Sequence, residues 1–286
     1  MKILITGVNG LVGNSLFNLL KKSNHKIFPS SRSIEGLAKY RLDITDRDEV
    51  DSFFKSFSPD AVINSAAMAN VDLCEEEREL CWKVNVEGVQ NIISACERYD
   101  THLTHISTDY IFDGKKESGI YLENDKPNPQ GYYAESKLEG ERVILDGSVS
   151  HSILRTILVY GKHNKPNIVT FLKSALEEGK NVNLVSDQVR MPTFVDDLSR
   201  ACISASEKKE SGVFHICGPE QMSYLDIGNR IAEYFSFDKG LINHVRTKDL
   251  NQKAKRPFRT GFNLQKSKDK LNYITTKFED SLKLIF

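Results

Sequence analysis

Residues 6–13 read TGVNGLVG, directly after the apolar run KILIT (2–6) and at the mouth of a stretch, 11–22, with helical character. A strand, a glycine turn and a helix in that order restrict the fold more than any other segment of this chain. Gly7 allows a sharp turn, Gly10 allows main chain to approach a ligand closely, and Gly13 allows a helix to pack tightly on a sheet. The N–H groups left unpaired at a helix N-terminus attract an anion such as a pyrophosphate. Asn9 and Leu11 lie in the same turn and join the three glycines as candidate cofactor contacts. The spacing is G-x-x-G-x-x-G, a variant of the dinucleotide fingerprint.

The rest of the first 110 residues continues the rhythm. HKIFPS (25–30), DAVINSA (60–66) and THLTHIST (101–108) read as strands, with helices near 46–57 and 83–99. Parallel strands covered on both faces read as continuous apolar runs, and strand-helix alternation implies crossovers. The expected fold is α/β, a doubly wound parallel sheet, Rossmann-like, with a smaller C-terminal substrate-binding lobe. Farther on, HSILRTILVYG (151–161) reads as one strand, 167–180 and 223–235 as helices, and another helix starts near Asp196. No Pro/Ser/Gly linker divides the chain, so one compact unit is expected. Its dinucleotide-binding part would be 1–160 with 191–212 returning to it, and its lobe 161–190 with 213–286.

The 286 residues carry 39 basic and 39 acidic side chains, a balance that points away from nucleic acid and anionic membranes and toward a small-molecule partner. Five scattered cysteines without a C-x-x-C pair fit a reducing cytoplasm. The opening MKILITG has no signal-peptide features, and no apolar run is long enough to span a membrane.

Cofactor choice is read about 20 residues beyond the glycine turn, where an acidic side chain favours NAD and a basic one NADP. The segment there is PSSRS, so Arg32, with Ser31 beside it, is expected to pair with a 2′-phosphate. NADPH is the expected cofactor, with NADH as an allowed substitute. Asp43, followed by Ile44, comes after the next short strand and either holds the adenine or caps the helix that follows.

Tyr-x-x-x-Lys occurs twice, at Tyr133–Lys137 and Tyr273–Lys277. On a helix, residues four apart share a face, so Lys137 lies beneath Tyr133, while Tyr132 is turned away by about 100°. The lysine is expected to lower the phenol's pKa and suit it to proton transfer. Upstream, HISTDYIFDG ends a strand at the carboxyl edge of the sheet, where ligands bind in this architecture. Ser107 and Thr108 there are candidates to donate to a substrate carbonyl, and Asp109 and Tyr110 are candidates for the substrate side. Tyr273 has no such strand before it and is expected at the surface near the C-terminal helix.

With the glycine turn, STDYIFDG and YYAESKLEGE in place, the chain resembles the extended short-chain dehydrogenase/reductases and, within them, the dTDP-4-dehydrorhamnose reductases. LDITDRDEVDSFF, PDAVINSAAMANVDLCE, VNVEG, LRT, DQVRMPT and a late RP have counterparts in the same order. The resemblance implies an oxidoreductase with Thr108, Tyr133 and Lys137 as catalytic residues. It gives cofactor roles to Asn64, Ala66, Ala67 and Asn85, and implies a nucleotide-sugar substrate. Arg190 and Arg256, in QVR and KRP, are expected on the substrate side as partners of a diphosphate. A homodimer is allowed. The family's tryptophan after its RTS segment has no counterpart in RTILVYG, and the only Trp is Trp82. Acidic residues tied to magnesium in some members are not recognisable, so no metal is expected. The alternatives are another nucleotide-sugar reductase or epimerase, or a non-catalytic regulatory subunit like the beta subunit of methionine adenosyltransferase.

Overall fold

The computed structural model describes residues 1–286. Its centre is a seven-stranded, wholly parallel sheet. The strands are β1 (Lys2–Thr6), β2 (Lys26–Ser31), β3 (Tyr40–Arg41), β4 (Ala61–Asn64), β5 (His102–Thr108), β7 (His151–Thr156) and β12 (Gly212–Ile216), in the spatial order β12-β7-β5-β4-β1-β2-β3. The order reverses between β1 and β4, the switch point at which ligands bind in open α/β sheets. Ile3, Leu4 and Ile5 are fully buried because both faces of β1 are covered, which is why the strand reads as an unbroken apolar run.

Helices α1 (Leu11–Leu20) and α8 (Val195–Lys208) pack together on one face, and α2 (Arg47–Phe57) and α5 (Gly88–Tyr99) on the other. α2 starts at Asp46, whose side chain accepts from the N–H groups of Asp48 and Glu49. Asp43 is therefore not the cap; its carboxylate accepts from the Thr45 N–H and hydroxyl at 2.9 and 2.8 Å.

The helix expected over 83–99 begins earlier and is interrupted. α3 (Val71–Glu76) and α4 (Arg78–Trp82) precede a π-helical turn, Lys83–Glu87, that runs into α5. The wider turn brings Asn85 against the long helix α6 (Tyr132–Asp146), where a Cβ on Gly140 would lie 2.6 Å from the Asn85 carbonyl oxygen. α6 opens at Gly131 with no cap of its own, and Glu75 accepts from the Tyr132 N–H at 2.8 Å.

The smaller lobe holds α7 (Ile168–Glu177), α9 (Tyr224–Phe235) and α11 (Phe278–Ile285) around a separate apolar core. Four short strand pairs lie outside the main sheet: β6 (Ile120–Tyr121) with β15 (Gly261–Phe262), β8 (Val159–Tyr160) with β11 (Thr193–Phe194), β9 (Val182–Val185) with β14 (Ile242–Val245), and β10 (Val189–Arg190) with β13 (Met222–Ser223).

Two expectations change. The run 151–161 is two strands, because Leu158 takes φ of +38° and turns the chain toward β11. The division expected at residue 213 falls inside β12, which pairs with β7 in the main sheet, and α10 (Gln265–Leu271) packs on β12 and α8. Tyr273 is not a surface residue. It is 5% exposed and donates its hydroxyl proton to the Cys217 carbonyl at 2.9 Å, because Asn272 ends α10 in a left-handed conformation and turns the next residue inward. All five cysteines are free and buried, and no helix is long and apolar enough to cross a membrane.

Candidate active site

Two cavities of about 430 Å³ each meet along the carboxyl ends of β1, β4 and β5 and share Gly10, Ser65, Ala66, Ala67 and Ala69. The first is bounded by Gly7, Asn9, Gly10, Ser31, Arg32, Asp43, Ile44, Ala66 and Ala67. The second is bounded by Leu11, Gly13, Asn64, Ser107, Thr108, Asp109, Tyr110, Tyr133, Lys137 and Arg190. Asn85 and Arg256 border neither.

The first cavity fits a dinucleotide on its own geometry. Gly7 turns at φ of +67°, and a Cβ on Gly13 would lie 2.3 Å from the Gly7 carbonyl oxygen, so only glycine lets α1 come this close. α1 starts without a side-chain cap, leaving its first N–H groups to the cavity. The Asn9 side chain accepts from the Leu37 N–H at 3.0 Å and so ties the turn to the segment beyond β2. Arg32 is exposed and makes no ion pair, which leaves its guanidinium free beside Ser31. Lys165, from the loop after β8, reaches the same cavity.

In the second cavity the α6 face carries Tyr133, Lys137 and Glu141 at intervals of four residues. Lys137 is 2% exposed and donates from Nζ to the Ile106 carbonyl at 2.7 Å and toward His105 Nε2 at 3.0 Å. Burial lowers its pKa to about 8, with Glu141 and Cys81 opposing. The Tyr133 phenol is pushed well up, chiefly by burial, while a hydrogen bond with Thr108 offsets part of the rise. The expectation that Lys137 lowers the phenol is therefore corrected. Two of its three ammonium donors are taken by His105 and Ile106 on β5, and desolvation of the neutral-to-anion step dominates at Tyr133. Tyr110 packs edge-to-face on Tyr133 with ring centroids 5.9 Å apart. The neighbouring Tyr132 turns the other way, its ring 6.4 Å from Trp82 and 5.0 Å from the Arg78 guanidinium carbon.

Several substrate-side expectations change. The Ser107 hydroxyl donates to Glu141 Oε1 at 2.5 Å and is not free for a carbonyl group. Ser107 and His105 alternate with Thr108 along β5 and face α6; the Thr108 hydroxyl donates toward Asp109 Oδ1 at 3.3 Å and accepts from the Tyr110 N–H at 3.2 Å, and Thr108 borders the cavity. Asp109 accepts from the Thr260 hydroxyl and lies 3.7 Å from Arg190 Nε; burial raises its pKa and Arg190 opposes. Arg190 spends its fork on main chain, donating to the Pro257, Val189 and Phe258 carbonyls at 2.6, 2.8 and 3.3 Å. It forms a wall of the cavity and holds the 257–260 loop in place, rather than presenting a free fork to a diphosphate. Arg256 pairs with Asp72 at 2.7 Å and donates to the Ala254 carbonyl, outside both cavities. Asn85 braces the cavity floor from behind: its amide pairs with the Met68 N–H and carbonyl at 2.9 and 3.1 Å and with Ser136 at 3.0 Å.

The sequence reading missed Glu141, His105, Lys165, Leu158 and Tyr224. Glu141 forms a buried bidentate pair with Arg155, with N···O distances of 2.7 to 3.2 Å. Its signal was present in the spacing Y-x-x-x-K-x-x-x-E. Leu158 lines the cavity just after the RT segment.

Residues 1–286 match the family model described as the RmlD substrate binding domain. The chain is 33% identical over 298 residues to the dTDP-4-dehydrorhamnose reductase of Aggregatibacter actinomycetemcomitans, covering 99% of this chain and 98% of that protein. It is 29% identical to the methionine adenosyltransferase 2 subunit beta of Danio rerio, covering 90% of this chain and 80% of that one. Among solved structures, a dTDP-4-dehydrorhamnose reductase from Clostridium acetobutylicum superposes with a TM-score of 0.90 at 32% identity, over 100% of this chain and 98% of that one. The Bacillus anthracis dTDP-4-dehydrorhamnose reductase, in complex with NADP, superposes with a TM-score of 0.91 at 27% identity over the same shares.

Proposed function

The chain belongs to the dTDP-4-dehydrorhamnose reductase family, a family of NAD(P)H-dependent oxidoreductases, and on that premise we propose that it reduces a nucleotide-linked 4-keto-6-deoxyhexose with NADPH. The observation that supports this most is the meeting of Tyr133, Lys137 and Thr108 in one cavity continuous with the glycine-turn groove. NADPH, when bound, supplies the hydride. Tyr133 holds a proton on its phenol oxygen and gives it to the oxygen of the carbonyl as charge develops there. A phenol raised by burial keeps that proton at neutral pH, which suits a general acid in the reductive direction. Thr108 orients the carbonyl oxygen, and Lys137 meets the negative charge left on Tyr133. Purified protein alone should consume NADPH when given such a ketosugar. No turnover across a panel of nucleotide ketosugars, with tight binding to a methionine adenosyltransferase instead, would favour the regulatory reading.

Arg32 should set cofactor preference. A guanidinium on the 2′-phosphate makes charge-assisted hydrogen bonds worth about 1.5–3 kcal/mol, roughly 10- to 100-fold in affinity. NADPH is expected to bind at least about tenfold more tightly than NADH, and Arg32→Asp should remove that margin while leaving NADH little changed. Fluorescence titration of both cofactors checks this, and equal NADPH affinity in the two proteins would remove Arg32 from the phosphate site.

The alkaline limb of the reaction should belong to Lys137. Its folded pKa is depressed to about 8, so the ammonium is present below that pH and is lost as pH rises through it. kcat/KM for reduction is expected to fall above about pH 8 in wild type, whereas Lys137→Arg, slower overall, should lack this limb because guanidinium stays charged. An unchanged limb in Lys137→Arg would assign it elsewhere.

A further inference from the structure

Lys137 is a buried cation of the candidate site, and the group under it has no assigned role. His105 on β5 is 1% exposed, with Nε2 3.0 Å from Lys137 Nζ and Nδ1 3.1 Å from the Asn64 side-chain amide. Asn64 is itself buried; its amide nitrogen faces His105 Nδ1, and its oxygen accepts from the Thr6 hydroxyl at 2.6 Å. The four side chains Lys137, His105, Asn64 and Thr6 thus form a closed chain from the α6 face to the end of β1, the strand that feeds the glycine turn.

Hydrogen-bond logic fixes the state of this chain. An ammonium only donates, so with Lys137 charged His105 Nε2 must accept and carry no proton. A neutral imidazole then holds its proton on Nδ1, and Nδ1–H needs an acceptor, which Asn64 provides once its amide is turned over to bring the oxygen to Nδ1. The amide oxygen and nitrogen are distinguished only by such partners. A charged Lys137 therefore requires the Asn64 amide turned over from the orientation in which its oxygen accepts from Thr6, so that its nitrogen donates to the Thr6 hydroxyl instead. Burial and the Lys137 charge both press against a protonated ring, in line with this neutral form.

We propose that His105 is a positioning residue for the reduction: its ring, held with the proton on Nδ1 by Asn64, accepts from the Lys137 ammonium and aims that group into the cavity beneath Tyr133. With two of its three donors given to His105 and Ile106, Lys137 keeps one for the cavity, at a fixed angle. The other charged or titratable groups facing Lys137 are Tyr133 and Glu141 on its own helix and Cys81 on α4. None of these replaces the acceptor that His105 supplies. Losing a neutral acceptor would make the buried ammonium less favourable and lower the pH at which it discharges.

The kinetic part of the test rests on the reductase reading, and the spectroscopic part does not. In the NADPH-bound protein, His105→Leu is expected to lower kcat roughly ten- to hundredfold with little change in KM, and to move the alkaline limb down by about one pH unit. His105→Gln, whose amide can accept from Lys137 and donate to Asn64, should restore most of the rate and the limb. Independently, nitrogen NMR of histidine-labelled wild type should show His105 neutral with the proton on Nδ1 from about pH 5 to 8. A folded His105→Leu protein with the wild-type limb would overturn the proposal, as would a ring protonated on Nε2 or titrating in that window. Should His105→Leu fail to fold, the limb in His105→Gln and the tautomer decide. If wild type reduces no ketosugar, the functional reading falls while the tautomer measurement still decides the role of His105.

Discussion

Tyr133→Phe is expected to cut turnover by about 10²–10⁴-fold, the range for losing a general acid, while cofactor affinity stays near wild type. Tyr132→Phe should be mild, because the Tyr132 ring packs beside Trp82 and Arg78 and does not border the cavity. The pair differ by one position on α6, so a comparison of kcat and of NADPH titrations in the two variants isolates the helix face. Similar losses in both would sink the assignment of the acid. The expected size of the Tyr133 effect follows from its surroundings: a desolvated phenol keeps its proton until charge appears on the substrate oxygen, and phenylalanine offers none.

The second large effect should be on stability. Glu141 and Arg155 have side chains 1% and 5% exposed, and their bidentate pair lies under the cavity, with Ser107 donating to Glu141 and Arg155 donating to the Glu123 carbonyl at 3.1 Å. Removing one member of such a pair leaves an uncompensated buried charge and costs about 3–5 kcal/mol. Arg155→Met should therefore lower the urea midpoint strongly. The double variant Glu141→Leu/Arg155→Met should recover much of the loss, since an apolar pair of similar volume is often neutral. A double variant no more stable than the single one would show that the cost arises from packing around Phe112, whose ring lies 5.5 Å from the Arg155 guanidinium carbon.

What could be read from the sequence was what local spacing determines. The glycine turn after β1, the apolar runs of the buried strands and the four-residue step from Tyr133 to Lys137 all depend on neighbours within a turn or two, and the sheet and the cavity's α6 face followed from them. What could not be read was set by residues far apart in the chain. Asp109 meets Thr260 across 151 positions, and Arg190 reaches the Pro257 carbonyl across 67, so neither side chain's partner is visible in its own segment. Arg256 was misjudged for the same reason, its carboxylate partner Asp72 being 184 positions away. Ser107 was a different kind of miss. Strand alternation alone puts it on the opposite face from Thr108, and the chemistry of a hydroxyl near a carbonyl hid that geometry. The tyrosine's pKa was misread because a neighbouring lysine suggested attraction, while burial of both groups outweighs it.

The strand order carries a consequence for the growing chain. β1, β2, β4 and β5 lie side by side and are complete by residue 108, so the nucleotide groove can assemble from an N-terminal stretch. The wall opposite, with Arg190 clasping the carbonyls of 257 and 258, cannot form until residue 258 has left the ribosome, about 150 residues after β5 is complete. Non-local pairing of this kind is slow. NADPH would then meet a receptive surface on a partly folded chain and hold it while the remainder docks. Pulse-labelled hydrogen exchange during refolding should show β1, β4 and β5 protected before β12, with NADPH speeding the late phase; simultaneous protection of all the strands would mean that the sheet closes in one step.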